Sequence, residues 1–192
     1  MGARKSRHGP RKRTVFSAAA LPLLAVLGCD PSNTHELTVV DGADTIHFST
    51  TSAFAEYVEL PGEKNELRIT LASYPLSCEH WDAPKDGQYA LSVTIVTPAE
   101  QKPAPASYPW TGLPAQDEPL HEPYALPKML LGSHSRVFEP GGAVRLSAVG
   151  LDLHASVVGA LALEYPGDGN RPATRVDGGF EAKICRSAIA AH

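Results

Sequence analysis

Leu67-Arg68-Ile69-Thr70-Leu71 is the stretch that decides the fold class, because apolar and polar side chains alternate one by one. That is the period of a pleated strand with one face in a core. The same period recurs along the chain. Leu91, Val93 and Ile95 alternate with Ser92 and Thr94; Val144, Leu146 and Ala148 alternate with Arg145 and Ser147; Phe180, Ala182 and Ile184 alternate with Glu181 and Lys183. Further strands are expected at 36–40, 45–49 and 55–60, and along 151–165, where Gly159 marks a bend or bulge. Turn-forming residues separate the runs: Asp41-Gly42, Pro61-Gly62, Asp86-Gly87, Pro140-Gly141-Gly142, Pro166-Gly167-Asp168-Gly169 and Asp177-Gly178-Gly179. No segment after residue 28 carries the 3.6-residue period of an amphipathic helix. About seven to nine short strands with such turns predict an all-β domain over 36–192, an antiparallel β-sandwich with a β-barrel as the alternative.

One stretch interrupts the rhythm. Between Pro98 and Pro127 lie eight prolines in 30 residues, together with Tyr108, Trp110, His121 and Tyr124. Proline fixes φ and removes a ladder donor, so 98–127 is expected to be a long, extended, irregular excursion from the sheet. Such loops are uncommon in compact domains and are often functional. Tyr108, Trp110 and Tyr124 are therefore a candidate binding loop, a platform for a sugar ring or a partner peptide. The simpler reading has the same rings pinning the excursion across an open sheet face or edge.

Residues 1–28 are read apart from this domain. Arg4, Lys5, Arg7, Arg11, Lys12 and Arg13 form a positive cluster with no acidic residue before Asp30. The apolar or small run that follows, 14–27, is too short to span a hydrocarbon layer of about 30 Å as a helix and has the length of a signal-peptide core. It closes on Val26-Leu27-Gly28-Cys29, which resembles the lipobox of bacterial lipoproteins, with Leu27 bulkier than the usual residue at its place. The resemblance implies a diacylglycerol on the Cys29 thiol, cleavage after Gly28 and acylation of the new amino group. Two or three chains acting together anchor firmly, at about 0.8 kcal/mol per buried methylene. Residues 29–35 become a lipidated tether whose polar part reaches at most about 20 Å. Asp30 matches the inner-membrane retention rule of enteric bacteria, but other lineages sort differently, and the choice of membrane stays open.

Removing the leader takes six basic residues from the 17 in the chain and leaves 11 against 21 acidic ones, a net charge of −10 (11 − 21). Nucleic acid is a poor partner for such a surface, since binding it depends on cationic contacts. The expected partners are the lipid bilayer, through acylated Cys29, and an envelope protein or glycan.

Two cysteines remain, Cys78 and Cys185. In an oxidising envelope compartment they are expected to form a disulfide, which also argues against splitting the domain at its proline-rich middle. Closing a loop of about 100 residues stabilises by about 4.7 kcal/mol in the chain-entropy account. A redox or copper thiol site would call for a Cys-x-x-Cys or Cys-x-His pattern, which is missing. Trp81 is expected to pack beside the disulfide.

No Gly-x-Ser-x-Gly elbow, phosphate loop or His-Glu-x-x-His zinc helix is present. His154 and Ser156 stand two apart, as on one strand face, without an evident acid. His80, His121 and His134 with Glu79 and Glu122 lack the spacing of recognised metal sites, and Asp168, Asn170 and Asp177 lack the closing Glu of a calcium loop. Gly142 to Val149, then Val157-Val158-Gly159, then Gly178-Gly179-Phe180-Glu181-Ala182-Lys183-Ile184-Cys185 resemble a loose pattern of β-rich bacterial lipoproteins of unassigned activity. That resemblance implies a shared sandwich edge and disulfide, and it transfers no catalytic residue. The expectation is a membrane-tethered cell-envelope lipoprotein, non-catalytic, with no cofactor or metal, serving as a structural or binding module. The alternatives are an envelope hydrolase with a site assembled from loops around His154 and Ser156, and an envelope metal-binding protein.

Overall fold

The alternating residues Leu67, Ile69 and Leu71 become the inward row of a central strand, and their counterparts along the chain line the same core. The computed structural model describes residues 36–41, 43–111, 120–131, 134–137, 141–165 and 173–189. The expected leader, Cys29, the tether, the 166–169 turn, Asp168 and Asn170 lie outside the described residues. The strands are β1 (Glu36–Asp41), β2 (Asp44–Ser49), β3 (Ser52–Leu60), β4 (Lys64–Ala72), β5 (Tyr89–Pro98), β6 (Ser107–Pro109), β7 (Tyr124–Leu131), β8 (His134–Val137), β9 (Gly142–Val149), β10 (Ser156–Tyr165) and β11 (Thr174–Ile189). There is no helix among the described residues, as the all-β expectation requires.

All eleven strands belong to one sheet, in the order β6-β9-β10-β11-β3-β4-β5-β7-β8, with β1 on β11 and β2 on β1. Its pairs are antiparallel except β11 with β3, which run parallel. The two ends of the path approach each other, since β6 also packs near β7. The sheet is thus continuous and nearly closed, which is the barrel form of the expectation rather than two separate layers. Its interior is filled by large side chains, with Tyr108, Phe180, Met129, Leu67, Ile95 and Leu163 among the fully buried ones.

Two local expectations are corrected. Ala148 does not continue the inward row of Val144 and Leu146 but is exposed. A bulge explains it: Val158 faces Ala148 while Gly159 faces Leu146, so Ser147 is an extra residue and Val149 takes the inward place. Asp177-Gly178-Gly179 is not a turn and lies inside β11, paired to β10 on one side and to β1 on the other. Gly178 holds φ 150° there, and a Cβ on it would meet the Glu36 carbonyl at 2.5 Å. The sequence places a glycine where β1 crosses closest to β11.

Gly159 is forced by packing rather than by φ. A Cβ at this position would sit 2.5 Å from the Arg145 carbonyl oxygen and 2.8 Å from the buried Phe180 ring. Gly159→Ala is expected to lower unfolding stability by about 1–3 kcal/mol through overpacking. Urea titration checks this: the midpoint falls at an unchanged slope, and a midpoint equal to wild type would mean that the sheet yields there freely.

Candidate functional site

The proline-rich segment 98–127 is where a binding loop was expected; residues 112–119 lie outside the described residues, and the described part before them closes onto the sheet. Asn65, at the start of β4, donates through Nδ2 to the carbonyls of Pro98, Ala99 and Gln101 at 3.2, 3.1 and 3.1 Å. Thr97 donates its hydroxyl to the same Gln101 carbonyl. Lys102 pairs with Glu59 at 2.5 Å, and the Tyr57 hydroxyl donates to that carboxylate at 2.9 Å. Burial, with the Glu59 carboxylate beside it, drives the Tyr57 hydroxyl far above the ordinary phenol range.

From there the chain turns inward. Tyr108 is 1% exposed and Trp110 is 6% exposed. The Tyr108 hydroxyl donates to the Ala104 carbonyl at 2.6 Å and accepts from the Ala104 N–H at 2.9 Å, so its polar end is satisfied within the segment. β6 pairs with β9, extended by Trp110 N–H to the Gly142 carbonyl at 3.1 Å and Leu146 N–H to the Ala106 carbonyl at 2.8 Å. Tyr108 and Trp110 are corrected from candidate platform residues to core anchors, because a buried ring has no face left for a ligand. Tyr124 is only half-buried and opens β7 instead of sitting in a loop.

Tyr124 shares a cross-strand row with Val96, Glu66 and Val58 on the outer face. Glu66 is 8% exposed there and is held by Lys64 at 2.9 Å and by the Arg68 guanidinium at 2.5 and 3.0 Å. Burial pushes its carboxyl up, but the bonds from Lys64 and Arg68 outweigh this and leave it below the ordinary carboxylate range. Burial likewise raises the Tyr124 hydroxyl, opposed by the Lys64 charge.

The second place of interest is the outer face of β11 at Cys185. The register of β11 on β3 passes from Ile184↔Ala55 to Arg186↔Glu56, so Cys185 is the extra residue of a bulge. It is disulfide-bonded to Cys78, with Cα atoms 6.1 Å apart, as expected. Cys78 belongs to the 73–88 connection, which is also held by Leu76 N–H to Ser52 Oγ at 2.8 Å, Tyr74 OH to the Asp82 carbonyl at 2.9 Å, and a small cluster of Ala72, Tyr74, Leu76 and Ala90. Trp81 does not pack away beside the disulfide; it is 47% exposed. The connection is too short of apolar partners to cover so large a ring.

Donor atoms of Glu56, Cys78 and Cys185 lie within 4.8 Å of one another, the one such grouping among the described residues. Bridged sulfurs offer no thiolate, and Glu56 is engaged by Arg186 at 3.5 Å, so this set suits a metal poorly in its oxidised form. His80, His121, Glu79 and Glu122 are exposed and do not gather, while the side chain of His134 lies outside the described residues. Ser156 does have an acid, Glu181, to which it donates at 2.9 Å. The His154 ring is bonded to neither, and its backbone N–H donates to the Ile184 carbonyl at 2.7 Å. The pair is thus not the Ser–His arrangement that the sequence offered. Beside it lies an open groove of about 450 Å³ lined by Thr50, Thr51, Ala53, Glu181 and Lys183. Sequence reading missed Glu181 as a partner of Ser156, because only the β10–β11 register brings residues 25 apart together.

No protein-family model, curated protein or solved structure matches the chain.

The Glu66 cluster generates a pH dependence. A carboxyl held below its unfolded value of 4.5 contributes stability that is present above that pH and lost as pH falls through the lower folded value. Glu66→Gln is expected to cost about 1–3 kcal/mol at neutral pH by leaving charged partners unmatched. Denaturant titrations across the acid range check it: the gap from wild type narrows below pH 4.5, and a gap independent of pH would show that packing, not charge, holds this row.

Proposed function

We propose that the protein is a lipid-anchored component of the bacterial cell envelope that works without catalysis, as a binding or structural module acting through its outer surface. The observation that carries this reading is the filled barrel interior. The aromatic side chains that the sequence offered for ligand contact, Tyr108 and Trp110, are spent on the core, so the available chemistry is on the outside. The Cys78–Cys185 disulfide supports an oxidising compartment, and Val26-Leu27-Gly28-Cys29 supports attachment to a membrane. With a tether of seven residues before Glu36, such a module would work within about 25 Å of the lipid.

Cell fractionation and mass spectrometry of the N-terminal peptide test the reading together. The natural protein is expected in the membrane fraction with a diacylglycerol-bearing Cys29 at its start, and Cys29→Ser in the soluble fraction or with its leader uncleaved. A Cys29→Ser protein that is processed and membrane-bound like the natural one would refute it.

A further inference from the structure

Three strands are paired along one edge only among the described residues: β2 to β1, β6 to β9 and β8 to β7. An open edge is a template for another strand, and native sheets blunt it with proline, shortness or charge. β6 is three residues long, ends at Pro109 and packs near β7, while β8 has four residues and carries Arg136. β2 has none of these protections. It is six residues long and contains no proline, and from Thr45 to Ser49 it holds no Asp, Glu, Lys or Arg.

The register tells which groups this edge offers. Only residues 42 and 43 separate β1 from β2, so Asp41↔Asp44 is a mutually hydrogen-bonded pair, and the ladder repeats at Val39↔Ile46 and Leu37↔Phe48. The N–H and C=O groups of Thr45, His47 and Ser49 therefore point away from β1, and no backbone group of another described residue meets them. The edge is also held in place. Phe48 is buried and stacks on Tyr89 with ring centroids 6.0 Å apart, and Ile46 is half-buried against the same core. On the outer face the side chains of Thr45, His47 and Ser49 are exposed, with the His47 ring 3.4 Å from Thr38 Oγ1 and 3.8 Å from the Glu36 carboxylate of its own β1. A strand that completes this edge must continue an apolar inner row and a polar outer row free of carboxylates and ammonium groups. β2 of a second copy meets both conditions.

We propose that the open edge of β2 is a self-association surface, on which a second copy of this chain pairs its own β2 antiparallel about a two-fold axis through His47. In that register Thr45 stands opposite Ser49 of the second copy, His47 opposite its counterpart, and Ile46 opposite Phe48. All three outward residues then find partners, whereas an axis through Ile46 leaves Ser49 without a strand partner and one through Phe48 leaves Thr45 without one. Thr–Ser pairs and aromatic–β-branched pairs directly opposite each other are among those that stabilise sheets. The contact is isologous and closes at two copies, so it hides the edge instead of propagating it. This goes beyond the reading of the protein as a surface-acting module and does not rest on where the protein is anchored.

Sedimentation equilibrium of the full chain tests it, with the protein purified as cells make it, in density-matched detergent if membrane-bound and in buffer otherwise. The natural protein is expected to show a monomer–dimer equilibrium. His47→Pro removes an N–H that β1 does not use, so the monomer keeps its ladder while the dimer dissociation constant rises about tenfold or more. Two charge variants test the register itself. Thr45→Lys/Ser49→Lys sets like charges opposite each other twice across the axis, and Thr45→Glu/Ser49→Lys sets opposite charges there; in both, the new Lys faces Glu36 of its own chain, so only the contact between copies distinguishes them. Their dissociation constants are expected to differ about tenfold or more, with the Glu/Lys variant the tighter. This comparison decides even if proline disturbs the hairpin, because the two altered side chains are exposed. A natural protein that stays monomeric, or two charge variants that dimerise equally, would overturn the proposal. Crosslinking in intact cells that joins β2 to a different polypeptide and never to a second copy would overturn it in favour of strand addition by a foreign partner. None of these outcomes alters the fractionation result for Cys29→Ser, so the two readings fail separately.

Discussion

Backbone pairing along β11 is the constraint on which the rest of the structure depends. Its hydrogen-bonding edges are taken by β10 on one side and, on the other, by β1 over its first part and β3 over its second. β1 arrives antiparallel and β3 parallel; between them β2 reverses direction against β1, and Thr50-Thr51 then carries the chain to the same edge of β11 further along. Gly178 permits the close passage of β1, and the bulge at Cys185 accommodates the β3 register. Shifting β11 by one residue would turn Val176, Phe180, Ala182 and Ile184 out of the core together, which is why its register is so strongly specified.

The near-closure of the sheet follows from a segment that looks, by composition, like an interruption. Prolines at 98, 103, 105 and 109 cannot extend a ladder in both directions, yet a final stave needs pairing on one edge only. Anchoring falls to side chains: Asn65 gathers three carbonyls at the start of the segment, and Tyr108 and Trp110 fill the interior at its end. The described first part of the loop, 98–110, is thus part of the wall.

Much of the fold was legible in local pattern. Period-two alternation at 67–71, 91–95 and 180–184 reads directly as inward rows, because side-chain direction in a strand is set by parity alone. Parity also explains the failures. Ala148 was misplaced because a bulge resets the count at Ser147, and Asp177-Gly178-Gly179 read as a turn because glycine serves equally for a reversal and for a close strand crossing. The disulfide was legible from compartment logic, and the barrel only in part, since order within a sheet is not written in any one strand. The candidate rings at 108 and 110 failed for a simpler reason: sequence shows that an aromatic residue is present but not which way it faces. The Ser156–Glu181 contact depends on register between distant strands, which local pattern does not encode.

The position of β11 in the chain has a kinetic meaning. It is the last strand, and β1, β3 and β10 all need it as a neighbour, with β1 and β3 separated from it by most of the domain. Such non-local pairing makes for slow folding, because loop entropy is lost before the contacts form. A chain delivered from its N-terminus therefore cannot complete its barrel until β11 is available. β3, β4 and β5 can pair early as a meander, but their parallel neighbour is still missing. A chain built this way can form its meander early, yet it leaves the edges of β1, β3 and β10 that β11 will fill unpaired until that strand is available.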